Sequence, residues 1–206
     1  MPPAIEPEMP RRHAALLLAA GSARRYGSDK LMAPLADGTP LALAAMRSLM
    51  DAVDEVFAVI RPGAPIAKPL AREGARLVLV APPGGGIGRS IAHGMAALMG
   101  RTPPFTGCII AFADMPMVRA ETVARLAAAL RHDVSIAVPE HRGTRGHPVA
   151  FDARWFAELS RLDGDEDLRD LLAIHRHQVR RIAVADPGIL ADVDRPCDME
   201  VLLADS

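Results

Sequence analysis

The chain lacks several features that would fix its chemistry at once. It has only two cysteines in 206 residues, Cys108 and Cys197. Two thiols so widely separated give neither a disulfide scaffold nor the paired spacing of a zinc site. They read as unpaired thiols in a reducing cytoplasm. Aromatic residues make up 3% of the chain, which leaves no obvious stacking platform. Charge of neither sign dominates: Lys+Arg 24 against Asp+Glu 25 gives a formal net charge of -1. That balance argues against a broad nucleic-acid or membrane surface, while leaving room for a small basic pocket. No hydrophobic run is long enough to span a bilayer. Residues 1–12, MPPAIEPEMPRR, hold four prolines and no apolar segment. They read as a disordered tail and not as a signal peptide. The expectation is a cytoplasmic protein with one domain over 13–206 and partners that include no nucleic acid and no membrane.

Half of the residues are hydrophobic, ample for a core in a domain of this length. Short apolar runs at 14–20, 56–60, 77–80, 108–112 and 135–138 read as strands, each bounded by turn residues. Helical patterns fall between them, at 40–50, to 73, at 89–99 and at 120–130. Such alternation predicts right-handed βαβ units and a mainly parallel sheet. The strands do not alternate apolar with polar, as expected where helices cover both faces. The last third predicts strands at 148–151 and 179–184, helices at 153–160 and 166–175, and a closing helix after Pro196. The fold class is therefore α/β, a Rossmann-like three-layer sandwich.

Ligands of such a sheet bind beyond the carboxyl ends of its strands, and the informative residues fall there. The first strand opens into Ala19-Ala20-Gly21-Ser22-Ala23-Arg24-Arg25-Tyr26-Gly27-Ser28-Asp29-Lys30. Its small residues let backbone N–H groups approach an anion. Arg25 and Lys30 could neutralise a polyphosphate, one as a planar fork and the other as a point charge. A plain surface loop would look similar, and the dinucleotide fingerprint G-x-G-x-x-G is absent. Gly84-Gly85-Gly86-Ile87-Gly88-Arg89-Ser90 opens a helix, which suits an anion or a base edge, or else a flexible connector. It is not a Walker A loop, because Pro83 and Arg89 stand where that motif needs Gly and Lys. Asp114 ends an apolar strand, placed either to hold Mg2+ against phosphates or to cap a turn before Pro116. Asp192 and Asp194 share one face of an extended segment, and either could supply a second carboxylate.

Together these pieces resemble the nucleotidyltransferases of molybdenum cofactor maturation, the cytidylyltransferases more than the guanylyltransferases. The opening resembles the family's L-A-[AG]-G-x-S-x-R-M-G-x-x-K. Gly86-Ile87-Gly88-Arg89-Ser90 resembles G-x-G-x-S, and Ala113-Asp114-Met115-Pro116 resembles G-D-M-P. Gly146-His147-Pro148-Val149 resembles the G-H-P segment. Gly164-Asp165-Glu166-Asp167-Leu168-Arg169 is similar to G-D-x-G-x-R, and Asp192-Val193-Asp194-Arg195-Pro196 to D-[IV]-D-T-P. The resemblance covers about 14–203. Departures are Ala23 for the family Ser, Tyr26 for Met, Ala113 for Gly, Asp167 for Gly, and a second loop one residue short.

The resemblance implies transfer of a nucleoside monophosphate from an NTP, CTP foremost, to the phosphate of molybdenum cofactor. Arg25, Lys30 and Asp114 are then the catalytic residues, with Asp114 and Asp194 on Mg2+. Ala19, Ala20, Gly21, Gly27, Lys30, Gly86 and Ser90 would bind the nucleotide. His147 would face the acceptor or orient its own turn. Ala20 distinguishes the cytidine-type L-A-A-G from the guanosine-type L-A-G-G. A molybdenum hydroxylase-type apoenzyme is the implied partner. Rival readings are transfer to a sugar or polyol phosphate, and a non-catalytic chaperone for the cofactor.

Overall fold

The computed structural model describes residues 11–21, 29–81, 85–130, 134–164, 168–194 and 198. The tail at 1–12 falls outside these except for Arg11 and Arg12. The closing helix after Pro196 falls outside them except for residue 198.

Strands and helices alternate through the first two-thirds. β1 is His13–Ala19, α1 Leu41–Met50, β2 Glu55–Ile60, α2 Ala67–Arg72, β3 Arg76–Leu79, α3 Gly86–Met99, β4 Gly107–Phe112, α4 Ala120–Ala129 and β5 Ile136–His141. There follow β6 Thr144–Arg145, β7 Val149–Asp152, α5 Phe156–Leu159, α6 Leu168–Ile174 and β8 Val179–Ala183. α3 begins three residues earlier than its periodicity predicts. Gly86 takes φ 79 there, a left-handed value that glycine tolerates and that lets the chain turn straight into the helix.

β3, β2, β1 and β4 pair in parallel in that order. β7 then pairs antiparallel to both β4 and β5, and β8 closes the far side of β5 in parallel. β6 pairs with β5 through Glu140↔Arg145 and His141↔Thr144, while β7 pairs through Ile136↔Phe151 and Ala137↔Ala150. β6 and β7 are thus two halves of one antiparallel strand, interrupted at 146–148. The turn between β5 and β6 is Arg142–Gly143, both at positive φ (49 and 82), the geometry that suits a two-residue hairpin. This single reversed strand is the one departure from a parallel sheet among the described residues.

Neighbouring residues of β1 enter different cores. Ala15, Leu17 and Ala19 pack with α1 and α4 residues such as Leu41, Met46, Leu49, Val123 and Leu126. Leu16 and Leu18 pack with Ile91, Met95 and Leu98 of α3 and with Phe151, Trp155 and Leu159. Both faces of the sheet are covered, so the central strands are apolar without alternation. α3 buries Ile91, Met95 and Leu98 at helical spacing. It lies close because Gly94 has no side chain; a Cβ there would sit 2.9 Å from Leu16 Cδ1. Cys108 is fully buried, and burial pushes its thiol well above the usual range. No helix among the described residues is long and apolar enough to cross a membrane.

Candidate active site

The site forms where β1 and β4 end side by side. The ladder aligns Leu18 with Phe112, and the Ala113 N–H continues it by donating to Leu18 O at 3.1 Å. Asp114 therefore emerges at the carboxyl rim, level with the chain leaving β1 through Ala19, Ala20 and Gly21. A second strip of chain reaches the same corner. Val193 is fully buried, and its N–H donates to Asp114 O at 2.9 Å. Asp194 follows it toward solvent.

Lys30 ties these pieces together from a short 3-10 turn, Lys30–Met32. Its ammonium donates to Asp114 Oδ2 at 2.8 Å, Val193 O at 2.9 Å and Asp194 Oδ1 at 3.1 Å. The side chains are 13% exposed for Lys30, 25% for Asp114 and 52% for Asp194, so the cluster opens outward through Asp194. Burial alone would push the Lys30 ammonium down. The hydrogen bonds and charges of Asp114, then Asp194, outweigh it and lift the group above the usual lysine range. Lys30 therefore remains a cation throughout the neutral range. Of the two carboxylates in 192–194, only Asp194 bonds to Lys30; Asp192 points to solvent.

The donor set can hold a hard divalent cation. Two carboxylates and one carbonyl gather around a single positive atom, and all three donors are oxygens. No group of three or more His, Cys, Asp and Glu side chains gathers among the described residues. The described residues alone would leave such an ion incompletely coordinated, with positions open to further oxygen ligands.

The other expected residues divide into those brought to the rim and those turned away. Arg25 and Gly27 lie outside the described residues. Gly86 begins α3, and the Gly88 N–H donates to Gly164 O at 3.1 Å. Arg89 reaches Asp163 Oδ1 at 3.2 Å. Gly88 and Arg89 thus meet residues 163–164, distant in sequence. Ser90 is buried, and its hydroxyl donates back to Gly86 O at 3.2 Å, so here it closes its own helix turn. His147 lies half-buried with its ring edge-on to Phe112, 4.7 Å between centroids, two residues before Asp114. Its backbone N–H donates to Ile189 O at 3.0 Å.

Sequence reasoning passed over Asp186. This carboxylate is 2% exposed and accepts from Arg119 N at 2.9 Å, Thr122 Oγ1 at 2.6 Å and Gly188 N at 3.0 Å. It joins the start of α4 to the 187–190 turn that supplies Ile189 O to His147. The Asp186-Pro187-Gly188 turn signature was the available signal. Gly146 belongs to the same knot, since a Cβ there would lie 2.1 Å from Ile189 O. Arg61, at the carboxyl end of β2, is a further basic group on this rim, and its buried Nε has no hydrogen-bond partner.

With this geometry in view, the similarities to known proteins are informative. A family model described as the MobA-like NTP transferase domain matches residues 15–181. The purine catabolism protein PucB of Bacillus subtilis is 29% identical over 198 residues, covering 91% of this chain and 94% of that protein. A crystal structure of an Rv0371c homologue from Mycobacterium sp. strain JC1 superposes with a TM-score of 0.76 at 31% identity, over 94% of this chain and 96% of that one. Rv0371c of Mycobacterium tuberculosis, in complex with manganese, superposes with a TM-score of 0.75 at 26% identity, over 95% and 100%.

Proposed function

The chain belongs to the MobA-like NTP transferase domain family, and from that premise we propose that it transfers CMP from CTP to the phosphate of molybdenum cofactor, releasing pyrophosphate. The observation that carries this reading is the convergence of Lys30, Asp114 and Asp194 at the ends of β1 and β4. A triphosphate needs both a cation and a metal site at one spot, and this corner has groups for both.

In the proposed reaction a phosphate oxygen of the acceptor attacks the α-phosphorus of CTP. The new P–O bond forms as the bond from the α-phosphorus to the bridging oxygen breaks, and pyrophosphate leaves. No covalent enzyme intermediate is required, so the protein contributes positioning and charge. Arg25 and Lys30 hold the triphosphate and offset the charge gathering on the leaving group. Asp114 and Asp194 hold the divalent cation, Mg2+ in this reading. When bound, that cation supplies further neutralisation of phosphate oxygens. Ala19, Ala20, Gly21, Gly27, Gly86 and Ser90 line the nucleotide side, and His147 faces the acceptor.

Two points support the finer specificity. Ala20 narrows the space beside the base by one methyl group, which favours a pyrimidine over a purine. The naming of PucB for purine catabolism fits a product destined for a molybdenum hydroxylase-type apoenzyme that oxidises purines. The manganese in the Rv0371c complex is in keeping with a divalent ion in this fold.

Pyrophosphate release by the purified protein with Mg2+, tested with CTP, GTP and ATP, with and without molybdenum cofactor, checks the proposal. The expected outcome is release that needs both CTP and the cofactor. A preference for GTP would overturn the Ala20 argument. Release with a sugar or polyol phosphate in place of the cofactor would overturn the acceptor assignment, and cofactor binding without release would leave a chaperone.

A further inference from the structure

Lys30 stands in an odd place for a residue that is to grip a triphosphate. Its ammonium is held by Asp114 Oδ2, Val193 O and Asp194 Oδ1, all within 3.1 Å. These are the oxygens that a divalent cation would need. Ligand distances for such an ion are about 2.1 Å. An ion bound to these same oxygens would therefore stand almost on top of the ammonium, and two cations at that separation repel strongly. One of them must leave.

The cage and the lysine are anchored differently. Asp114 follows the end of β4, a central strand, by two residues, and Val193 is fully buried and bonded to the Asp114 carbonyl. The Asp114 and Val193 side of the cage is therefore anchored to the sheet. The lysine reaches it on a flexible four-carbon stem from a turn outside the sheet.

We propose that Lys30 is an internal counter-ion that fills the metal position until a triphosphate arrives, so that metal and nucleotide enter as a coupled pair. This rests on the site being a metal-dependent nucleotidyl-transfer site. Without triphosphate, an incoming cation must expel the ammonium into water and break its ion pairs. With triphosphate, the ammonium exchanges carboxylate oxygens for phosphate oxygens, and the cage is vacated at little cost. Each ligand thereby strengthens the other through a side chain that cannot serve both anions at once. The same lysine acts twice: against premature metal binding, then on the triphosphate.

The coupling predicts a gain of binding from the loss of a catalytic side chain. Mn2+ binding is measured by titration calorimetry or electron paramagnetic resonance, without nucleotide and with a non-hydrolysable α,β-methylene CTP. Wild type is compared with Lys30→Met, which keeps an apolar stem and removes the charge. Lys30→Met should bind Mn2+ alone at least ten-fold more tightly than wild type, and the analogue should enhance its Mn2+ affinity less. Equal or weaker binding of Mn2+ by the variant would overturn the proposal, provided wild type binds the ion with the analogue. No Mn2+ binding by wild type even with the analogue would overturn the metal reading itself. Thermal melting supplies a second readout. Lys30→Met should melt below wild type in chelator, where two carboxylates face each other unscreened, and Mn2+ should raise its melting temperature more than that of wild type. An equal rise in both would also overturn the proposal.

Discussion

The two ends of the sheet each carry a cluster of ionic groups, built to opposite proportions. At the amino end, Glu55 begins β2 and faces three arginines. It accepts from Arg12 at 3.1 Å, from Arg76, and from Arg101 at 3.5 Å. Burial would raise this carboxyl, but the Arg76 bond and charge, with Arg101 and Arg12, hold it below the usual glutamate range. At the carboxyl end, one lysine faces two carboxylates. The amino-end carboxylate is saturated by cations within the chain. Among the described residues, the carboxyl-end cluster pairs two carboxylates with one lysine, and its outer member is half exposed. The two clusters thus differ in balance: one carboxylate among three arginines against, among the described residues, one lysine between two carboxylates. Arg12 reinforces the contrast: besides Glu55 it stacks over Phe105, 4.6 Å from the ring centroid, and so is used entirely within the fold.

Substitutions at the two ends should then have opposite consequences. The largest effect is expected from Asp114→Asn, which should lower kcat/KM for pyrophosphate release by about 100-fold or more, the scale for removal of one fixed charge-stabilising group. Its melting temperature should stay near wild type, because Lys30 retains Asp194. A large fall in stability with little loss of turnover would erase the distinction between the ends. Glu55→Gln should do the reverse. Steady-state kinetics should be unchanged, while denaturant unfolding should show a loss of about 1–2 kcal/mol, given that most of the arginine charge is partly exposed. The smallest effect concerns acid. The Glu55 carboxyl is lowered in the folded state, so its contribution is complete above the ordinary glutamate value of 4.5 and fades as pH falls through the lower folded value. The stability gap between wild type and Glu55→Gln should therefore be constant near neutrality and shrink below pH 4.5. A gap that persisted in strong acid would mean that the lost contact was not ionic.

The two clusters also differ in how far the amino-acid sequence discloses them. Asp114 stood out because it follows the apolar run 108–112, a place that suits a metal ligand or a turn cap alike, and Lys30 because it closes a glycine-spaced loop. Their meeting was not legible from spacing: 84 residues separate Lys30 from Asp114, and 164 separate it from Asp194. That contact depends on β1 lying beside β4, an order no local pattern encodes. The strand over 77–80 was expected to be covered on both faces. It forms at Arg76–Leu79 on the sheet edge, where Leu77 and Leu79 remain 39% and 56% exposed. An apolar run does not reveal whether a strand has neighbours on both sides. The reversal of β7 was equally hidden, because a short strand packed on both faces reads the same in either direction. Asp186 was missed for a different reason. A buried carboxylate satisfied by backbone donors looks, in sequence, like any turn residue.

The reversed strand has a consequence for how such a protein can diversify. Because β6 and β7 run against their neighbours, the Arg142–Gly143 tip and the break at 146–148 project from the same rim as Asp114, on the side away from β2 and β3. The tip is solvent-exposed, and exposed hairpin tips accept changes of length more readily than sheet interiors. The fold thus separates inheritance from novelty. In the proposed reaction the half built on β1 to β4 serves the triphosphate, while the hairpin is a graft point at which a lineage can gain length without redesigning the rest.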